Sequence, residues 1–290
     1  MTSLTSKLKA GKFIVTSELT PPKGTDLSRL FAKADMLAEC VDAFNLTDSH
    51  NSRMSLAPMA AAHLLLDRGV EPILQMTTRD RNQIALQGDM LAASSLGIEN
   101  VVCMGGDPPH LGDHPDAKGV YDLSTMDLIH AAKQLTKGAD LAGNKLDSNP
   151  AFNIGAVVNP GADDLDTEIE RLQQKVEAGA VYFQTQAIYD AERFAAFMVR
   201  IAPLNVHVLA GILPVKSARM AKHMNENVPG IDIPDSLIEQ IKTADDVKAT
   251  SARLAADVIS AIKPICAGIH LMALGWEDQI PNILELSELS

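Results

Sequence analysis

Cysteine is scarce in this sequence, with only three in 290 residues. Cys40, Cys103 and Cys266 lie far apart, and none forms the Cys-x-x-Cys pair that is typical of zinc and iron–sulfur sites. The histidines likewise show no His-x-x-His or His-Glu-x-x-His spacing, so we expect no metal site. A reducing cytoplasm is the simplest setting for so few and such scattered thiols.

Long apolar runs and an excess of basic residues are also missing. No segment approaches the roughly 20 residues that a membrane-spanning helix needs. The first residues, MTSLTSKLKAGKF, lack the apolar core of a signal peptide. Lys and Arg number 25 against 37 Asp and Glu, and the net charge is −12. A chain this acidic is a poor candidate for binding nucleic acid or anionic membrane through charge, so we expect a cytoplasmic protein with neither partner.

What the sequence does contain is a regular alternation of short apolar runs with longer amphipathic segments. The amphipathic segments predict helices, for example over 26–40, where Asp26 is a plausible N-cap, over 81–97 and over 167–180. The apolar runs predict eight strands, at 13–18, 43–47, 72–77, 100–105, 153–158, 181–186, 207–213 and 268–274.

Eight strands alternating with helices indicate a parallel sheet, and in a chain of this length they fit a closed (β/α)8 barrel, the TIM barrel. The alternative is a doubly wound open sheet. No Gly-x-Gly-x-x-Gly follows the first strand, which disfavours a dinucleotide-binding fold of that kind. No linker rich in Pro, Gly or Ser interrupts the chain, so we predict one domain over residues 1–290.

Polar residues follow or end most of the predicted strands. Barrels of this class carry their chemistry at the carboxyl ends of the strands, so these residues are expected to converge there. Singly, each has an ordinary explanation, such as a loop carboxylate or a tight turn. Together they favour a functional site, and the long segment 106–124 is expected to contribute to it. With the two glycines that precede Asp107, the residues are Glu18, Asn45, Thr47, Asp48, Gln75, Thr77, Thr78, Gly105, Gly106, Asp107, Asn159, Gln184, Thr185 and Gln186.

An ordered set of motifs resembles the methylenetetrahydrofolate reductase family, flavoprotein (β/α)8 barrels of one-carbon metabolism. The set is SELTPPKG, FNLTDSHNSRMSLAP, PILQMTTRDRNQIALQGDMLAASSLGIENVVCMGGDPP, KVEAGAVYFQTQAIYD and GILPVKS. The resemblance implies an oxidoreductase that interconverts 5,10-methylenetetrahydrofolate and 5-methyltetrahydrofolate for methionine biosynthesis. It further implies non-covalent FAD, NADH or NADPH as co-substrate, and a homo-oligomer or a subunit of a complex.

The resemblance also assigns roles to particular residues. Glu18 would be the acid that protonates folate N10, held in place by the Pro21-Pro22 pair that follows its strand. Asp107 would be a second catalytic carboxylate beside flavin and folate, and Gln186 would bind the pterin. The positions that would line FAD are Thr47, Gln75, Gly105, Gly106, Asp107, Tyr121, Asn159 and Lys175.

Some positions depart from the family pattern. Gly105 stands where an Arg is common, and Asn159 stands where a Tyr is common. Asp163 and Gln174 replace a His and an Arg that hold the FAD diphosphate. Two other functions therefore stay open: a pterin-binding barrel that transfers a methyl group to a corrinoid or thiol, and a subunit that depends on a partner.

Overall fold

The computed structural model describes residues 3–289 and shows eight parallel strands hydrogen-bonded in chain order into one closed barrel. Since β1 pairs with β8 as well as with β2, the predicted (β/α)8 barrel is confirmed and the open sheet is wrong. The strands are β1 Ile14–Leu19, β2 Ala43–Leu46, β3 Pro72–Thr77, β4 Asn100–Met104, β5 Asn153–Val158, β6 Tyr182–Ala187, β7 His207–Ile212 and β8 Gly268–Leu271.

The last predicted strand, 268–274, is too long by three residues. β8 ends at Leu271, and soon afterwards Leu274 and Gly275 adopt left-handed backbone conformations, with φ of 49° and 96°. A left-handed residue turns the chain out of an extended strand, so the ladder cannot continue through it. The other strand predictions agree with the structure to within one residue at each end.

Eleven helices lie among the described residues, and most of the longer ones follow a strand and cover the outside of the barrel. They are α1 Ser3–Lys9, α2 Ser28–Leu37, α3 Pro58–Leu66, α4 Gln83–Ser95, α5 Thr125–Thr136, α6 Leu165–Ala178, α7 Ala191–Ile201, α8 Ala218–Asn227, α9 Asp235–Thr243, α10 Val247–Ile262 and α11 Ile280–Leu286.

The predicted helix ends shift by two or three residues for local reasons. Asp26 is not the N-cap of α2, because Leu27 takes that position and the Asp26 carboxylate instead accepts the Ser28 N–H at 2.9 Å. The start of α4 is set by Asn82, whose side chain accepts the Ala85 N–H at 3.0 Å. Side-chain caps of this kind satisfy N–H groups that have no partner within the helix.

The amino end of the barrel is closed by α1. Leu4 and Leu8 of this helix are buried against an apolar layer formed by inward-facing residues in the amino-terminal halves of the strands. This layer comprises Ile14, Ala43, Ile73, Val102, Tyr182 and Leu209, which form one buried apolar cluster with Leu4 and Leu8. The apolar plug therefore supplies core stability at one end and leaves the other end for polar groups.

A polar layer lies above the apolar one. Asn45 and Gln184 exchange two hydrogen bonds across the barrel interior, at 2.6 and 3.1 Å. Thr16 of β1 lies beside His270 of β8, with 3.0 Å between its hydroxyl oxygen and the imidazole Nδ1. Since side chains alternate across a strand, the next inward positions beyond Thr16 and Gln184 are Glu18 and Gln186. The interior thus becomes polar toward the carboxyl ends of the strands.

We expect Gly155→Ala to destabilise the barrel, because the added methyl carbon would lie 2.4 Å from the ring of Tyr182. Tyr182 is completely buried, so its ring has no free space to move into, and overpacking of this kind costs roughly 1–3 kcal/mol. The matched control is Gly88→Ala in α4, where nothing lies within 4 Å and alanine favours the helix. Urea unfolding of the two variants checks this. Equal stability of Gly155→Ala and the parent chain would contradict the packing argument.

Across residues 3–289, no helix combines the length and the apolar character needed to cross a membrane. The same part of the chain contains no cluster of three or more His, Cys, Asp or Glu side chains that could hold a metal ion.

Candidate active site

A cleft of about 530 Å³ opens at the carboxyl ends of the strands. Eight of the residues singled out as catalytic, substrate-binding or cofactor-binding line it, although they come from five different strands and the segments after them. They are Glu18, Gln75, Gly105, Gly106, Asp107, Asn159, Lys175 and Gln186. Met104, Val157, Val158, Glu168, Gln184, Thr185, His270 and Met272 complete the lining.

Glu18 lies at the floor of the cleft, and its side chain is only 12% exposed. Its two carboxyl oxygens face two imidazoles: His50 Nδ1 lies 3.5 Å from Oε1, and His270 Nε2 lies 3.9 Å from Oε2. Burial raises the pKa of the Glu18 carboxyl, and the smaller opposing effect of His50 lowers it. Since desolvation disfavours the charged form, this carboxyl is suited to carry a proton at a higher pH than an exposed glutamate.

The exit of β1 is held by the residues that follow Glu18. The carbonyl oxygen of Pro22 accepts the Leu56 N–H at 2.8 Å, which joins the loop after β1 to the loop after β2. Proline restricts the backbone at positions 21 and 22, so the loop has little freedom to carry the end of the strand away from the cleft.

A tight turn, Gly105-Gly106-Asp107, follows β4 and forms one wall of the cleft. Gly106 has a φ of +84°, and a methyl carbon there would lie 3.0 Å from Cβ of Thr77. The carbonyl oxygen of Asp107 accepts hydrogen bonds from the Ser52 hydroxyl and from Arg79 Nη1, the latter at 3.4 Å. The Asp107 carboxylate has no hydrogen-bond partner within residues 3–289, so it is free to interact with a ligand.

Lys175 forms another wall and is almost fully buried. Its ammonium group donates to the Val157 carbonyl at 2.7 Å, and burial lowers its pKa while nearby Glu168 raises it to a lesser extent. Glu168 also accepts the Asn159 N–H at 2.9 Å, which fixes the chain just after β5. A buried cation next to a cleft can hold a polar ring atom or an anionic group.

Two amide side chains complete the polar lining. Gln186 accepts the Ala187 N–H at 3.1 Å through its Oε1, and its NH2 group has no acceptor in the described part of the chain. Gln75 is half-buried, and no hydrogen bond of its side chain is found between residues 3 and 289. An amide can both donate and accept, so each can match the edge of a heterocycle.

Thr47 and Tyr121 are the two predicted cofactor contacts that do not line this cleft. Thr47 is 1% exposed, and its buried hydroxyl has no partner among the described residues. Tyr121 is exposed on the long segment after β4, with a left-handed φ of 44°, and its hydroxyl lies 3.5 Å from the Asp107 carbonyl oxygen. Tyr121 therefore contacts the Gly105-Gly106-Asp107 turn from outside.

Nearly the whole described chain matches a known family, since the family model of methylenetetrahydrofolate reductase aligns with residues 3–288. The chain belongs to the methylenetetrahydrofolate reductase family. Methylenetetrahydrofolate reductase 2 of Schizosaccharomyces pombe is 25% identical, over 99% of this chain and 47% of that protein. Methylenetetrahydrofolate reductase (NADH) 1 of Arabidopsis thaliana is 26% identical, over 96% of this chain and 49% of that protein. The chain thus spans about half the length of these relatives.

A bacterial member of the family is matched over most of its own length. The 5,10-methylenetetrahydrofolate reductase of Escherichia coli is 24% identical, over 87% of this chain and 82% of that protein. Among solved structures, a Clostridium thermocellum protein described as binding two copies of 5-methyl-5,6,7,8-tetrahydrofolic acid superposes with a TM-score of 0.65. It is 16% identical and covers 98% of this chain and 97% of its own, so the likeness shows a shared fold.

In this member of the methylenetetrahydrofolate reductase family, two histidines lie near Glu18 that the sequence did not predict as site residues. His270 is 3% exposed in β8, and His50 lies just after β2. The period of two along β8 would have placed His270 and Met272 on the inward face. No comparable signal points to His50, because it lies in an irregular segment whose path is set by tertiary contacts.

Proposed function

We propose that this chain is the catalytic barrel of a cytoplasmic flavin-dependent methylenetetrahydrofolate reductase, folded as a single domain. One observation carries the proposal: a buried carboxyl, Glu18, shares a cleft with the Asp107 carboxylate, which has no hydrogen-bond partner among residues 3–289, and with the amide of Gln186. Membership of the family supports the same substrate, 5,10-methylenetetrahydrofolate. The product, 5-methyltetrahydrofolate, would supply methyl groups for methionine biosynthesis.

The residues present fit the ring system of FAD. Gly106 keeps the wall beside β4 free of a side chain, as a flat ring that approaches the backbone requires. Gln75, Lys175 and the Asp107 carboxylate would hold polar atoms of the ring. Thr47 lies outside the cleft lining, but its buried hydroxyl has no partner among residues 3–289 and would be a further contact if the ring extended to it. Bound FAD would supply a hydride received from NADH or NADPH.

The protein's own part in the reaction is proton transfer and charge stabilisation. The protonated Glu18 carboxyl would donate its proton to N10 of the folate as the ring carbon–N10 bond breaks, because an unprotonated amine is a poor leaving group. The cation that then develops at N5 of the folate would be stabilised by the negative charge of Asp107. Gln186 would orient the pterin through its amide.

The expected diphosphate contacts fit less well. Asp163 and Gln174, at the positions that the resemblance assigns to the FAD diphosphate, are both exposed, and Asp164 caps the start of α6 next to them. Carboxylates repel a diphosphate, so the chain is expected to hold FAD weakly by itself. This observation favours, as a second candidate function, a subunit that completes its cofactor site with a partner.

Asp163→Asn is expected to tighten FAD binding by a few-fold, because it removes one exposed negative charge and such charges contribute up to about 1 kcal/mol. Asp147→Asn is the control, since Asp147 is also exposed but leads into the amino end of β5. Flavin fluorescence quenching at low salt gives both dissociation constants. No difference between the two variants would mean that the diphosphate does not lie near Asp163.

The test of the proposed function is spectroscopic. Purified protein, reconstituted with FAD if necessary, should show flavin absorbance that NADH or NADPH bleaches without air and that methylenetetrahydrofolate restores. Absence of FAD binding at excess cofactor would overturn the flavin proposal. Transfer of a methyl group from 5-methyltetrahydrofolate to a corrinoid or thiol would instead identify a methyltransferase.

Gln186→Ala is expected to raise the KM for the folate and to leave flavin reduction by the nicotinamide nearly unchanged. Loss of one buried hydrogen bond costs on the order of 1–3 kcal/mol, which is equivalent to roughly 5- to 150-fold. Gln173→Ala is the control, because Gln173 is exposed on α6 and its side-chain amide donates to Glu177 Oε1 at 3.1 Å, away from the cleft lining. Stopped-flow kinetics separate the two half-reactions, and equal damage to both would show that Gln186 is structural.

A further inference from the structure

The buried His270 imidazole connects two polar groups at the floor of the cleft. Its Nδ1 lies 3.0 Å from the Thr16 hydroxyl oxygen, and its Nε2 lies 3.9 Å from Oε2 of Glu18. Burial lowers the pKa of His270 to about 4, so the ring is neutral near pH 7 and has one N–H donor and one nitrogen acceptor. Which nitrogen carries the proton decides what the ring can offer to Glu18.

The hydrogen bonds of the Thr16 hydroxyl indicate which nitrogen of His270 carries the proton. Its hydroxyl oxygen also lies 3.2 Å from the carbonyl oxygen of Ile269, which can only accept. A hydroxyl has a single proton, so if that proton goes to the carbonyl, the hydroxyl oxygen must accept from His270 Nδ1–H. The Nε2 lone pair of His270 then faces Glu18.

We propose that His270 is a positioning residue that holds the Glu18 carboxyl in its protonated form, with its tautomer selected by Thr16. A lone pair at Nε2 accepts a hydrogen bond from a carboxylic acid but repels a carboxylate. A hydrogen bond to the neutral form favours that form, so the arrangement works in the same direction as burial. The contact of 3.9 Å is longer than a hydrogen bond, and such contacts commonly tighten when substrate binds.

Other charged groups near Glu18 do not duplicate this role. His50, from the loop after β2, reaches Oε1 and favours the ionised carboxyl when it is protonated. Asn45, which pairs with Glu18 in register, is neutral and bonded to Gln184. Asp107 and Lys175 line other parts of the cleft, and within the described chain the Lys175 ammonium group forms no ion pair with Glu18. His270 is therefore the buried neighbour whose tautomer bears directly on the Glu18 proton.

The inference rests on the proposed function for the use of the proton, but the test begins without catalysis. In the reconstituted full chain labelled with 15N-histidine, long-range 1H–15N correlation should show His270 protonated at Nδ1. Infrared difference spectra against Glu18→Gln should show a carboxylic acid band that titrates above the range of an exposed glutamate. A proton on Nε2 of His270, or a carboxyl that titrates normally, would overturn the inference.

Thr16→Val removes the hydroxyl and keeps the shape of the buried side chain. It should move the His270 proton to Nε2, lower the pH at which the Glu18 acid band disappears, and slow folate reduction about tenfold at the alkaline end of the pH profile. Thr16→Ser should restore all three properties because it keeps the hydroxyl. Ser17→Ala is the matched control, since that hydroxyl contacts the Leu271 carbonyl of the same strand β8 but not His270.

The outcomes separate the two proposals. Unchanged infrared titration and an unchanged pH profile in Thr16→Val would reject the positioning role even if the enzyme reduces folate. The expected tautomer and titration in a chain that reduces no folate would support the positioning role and reject the proposed function.

Discussion

Glu18→Gln is expected to lower the rate of methylenetetrahydrofolate reduction by at least about a hundredfold, since a positioned general acid contributes roughly 10²–10⁴-fold. Glutamine keeps the size and hydrogen-bonding capacity of the side chain but has no proton to transfer. The buried carboxyl is the acid at the floor of the cleft, so another side chain cannot readily take its place. Hydride transfer from nicotinamide to flavin needs no such proton and should proceed at close to the parent rate.

Stopped-flow measurement of the two half-reactions tests this expectation directly. Flavin content and the rate of flavin reduction serve as the internal control, because both report an intact cofactor site. If Glu18→Gln reduced methylenetetrahydrofolate at nearly the parent rate, Glu18 would be an ordinary carboxylate at the end of a strand, and the proposed mechanism would be wrong.

The same substitution has a consequence for stability that does not depend on catalysis. The pKa of Glu18 is raised in the folded state, so the native protein binds this proton more tightly than the unfolded chain does. The corresponding stabilisation is present below the unfolded-state pKa and is lost as the pH rises through the folded-state pKa. Glu18→Gln should therefore lose less stability than the parent chain when the pH is raised through that range, as urea unfolding would show.

Gly106→Ala is expected to lower the affinity for FAD at least about tenfold and to destabilise the chain. An alanine at the left-handed φ of +84° costs roughly 1–2 kcal/mol. Its methyl carbon would also lie 3.0 Å from Cβ and 3.1 Å from Cγ2 of Thr77, whose branched side chain is buried. Relief of both effects requires the turn to move, and the turn carries Asp107 and the wall on which the flavin ring would lie.

Gly105→Ala is the matched control, because it adds a methyl group to the same turn without the left-handed strain or the close contact with Thr77. Its added methyl carbon would have Thr125 Oγ1 as its nearest neighbour, at the ordinary distance of 3.7 Å, and its φ is not left-handed. We expect the thermal stability of this variant to match that of the parent. Flavin titration and thermal unfolding should thus distinguish Gly106→Ala from Gly105→Ala. Unchanged FAD binding in Gly106→Ala would place the ring away from this turn.

The barrel could be predicted because its signal is local and repeated. A short apolar run predicts each strand, and an amphipathic segment predicts each outer helix. Each of these patterns is weak alone, but eight strand–helix repeats together indicate one architecture. The polar ends of the strands could be predicted for the same reason. The predicted ends of single elements were wrong where local interactions set them. Examples are the hydrogen bond that the Asp26 carboxylate accepts from Ser28 before α2 and the left-handed turn at Leu274 after β8.

By itself the sequence determined the eight-fold repeat, the polar residues at the strand ends and the resemblance to a family of folate reductases. Tertiary structure alone decided that Glu18 is buried between His50 and His270, and that Thr16 reaches the second of these rings. The physical reason is the closure of the barrel, which pairs β1 with β8 from the opposite end of the chain. The pKa of a carboxyl depends on its exposure to water and on the charges near it, and the tertiary structure determines both.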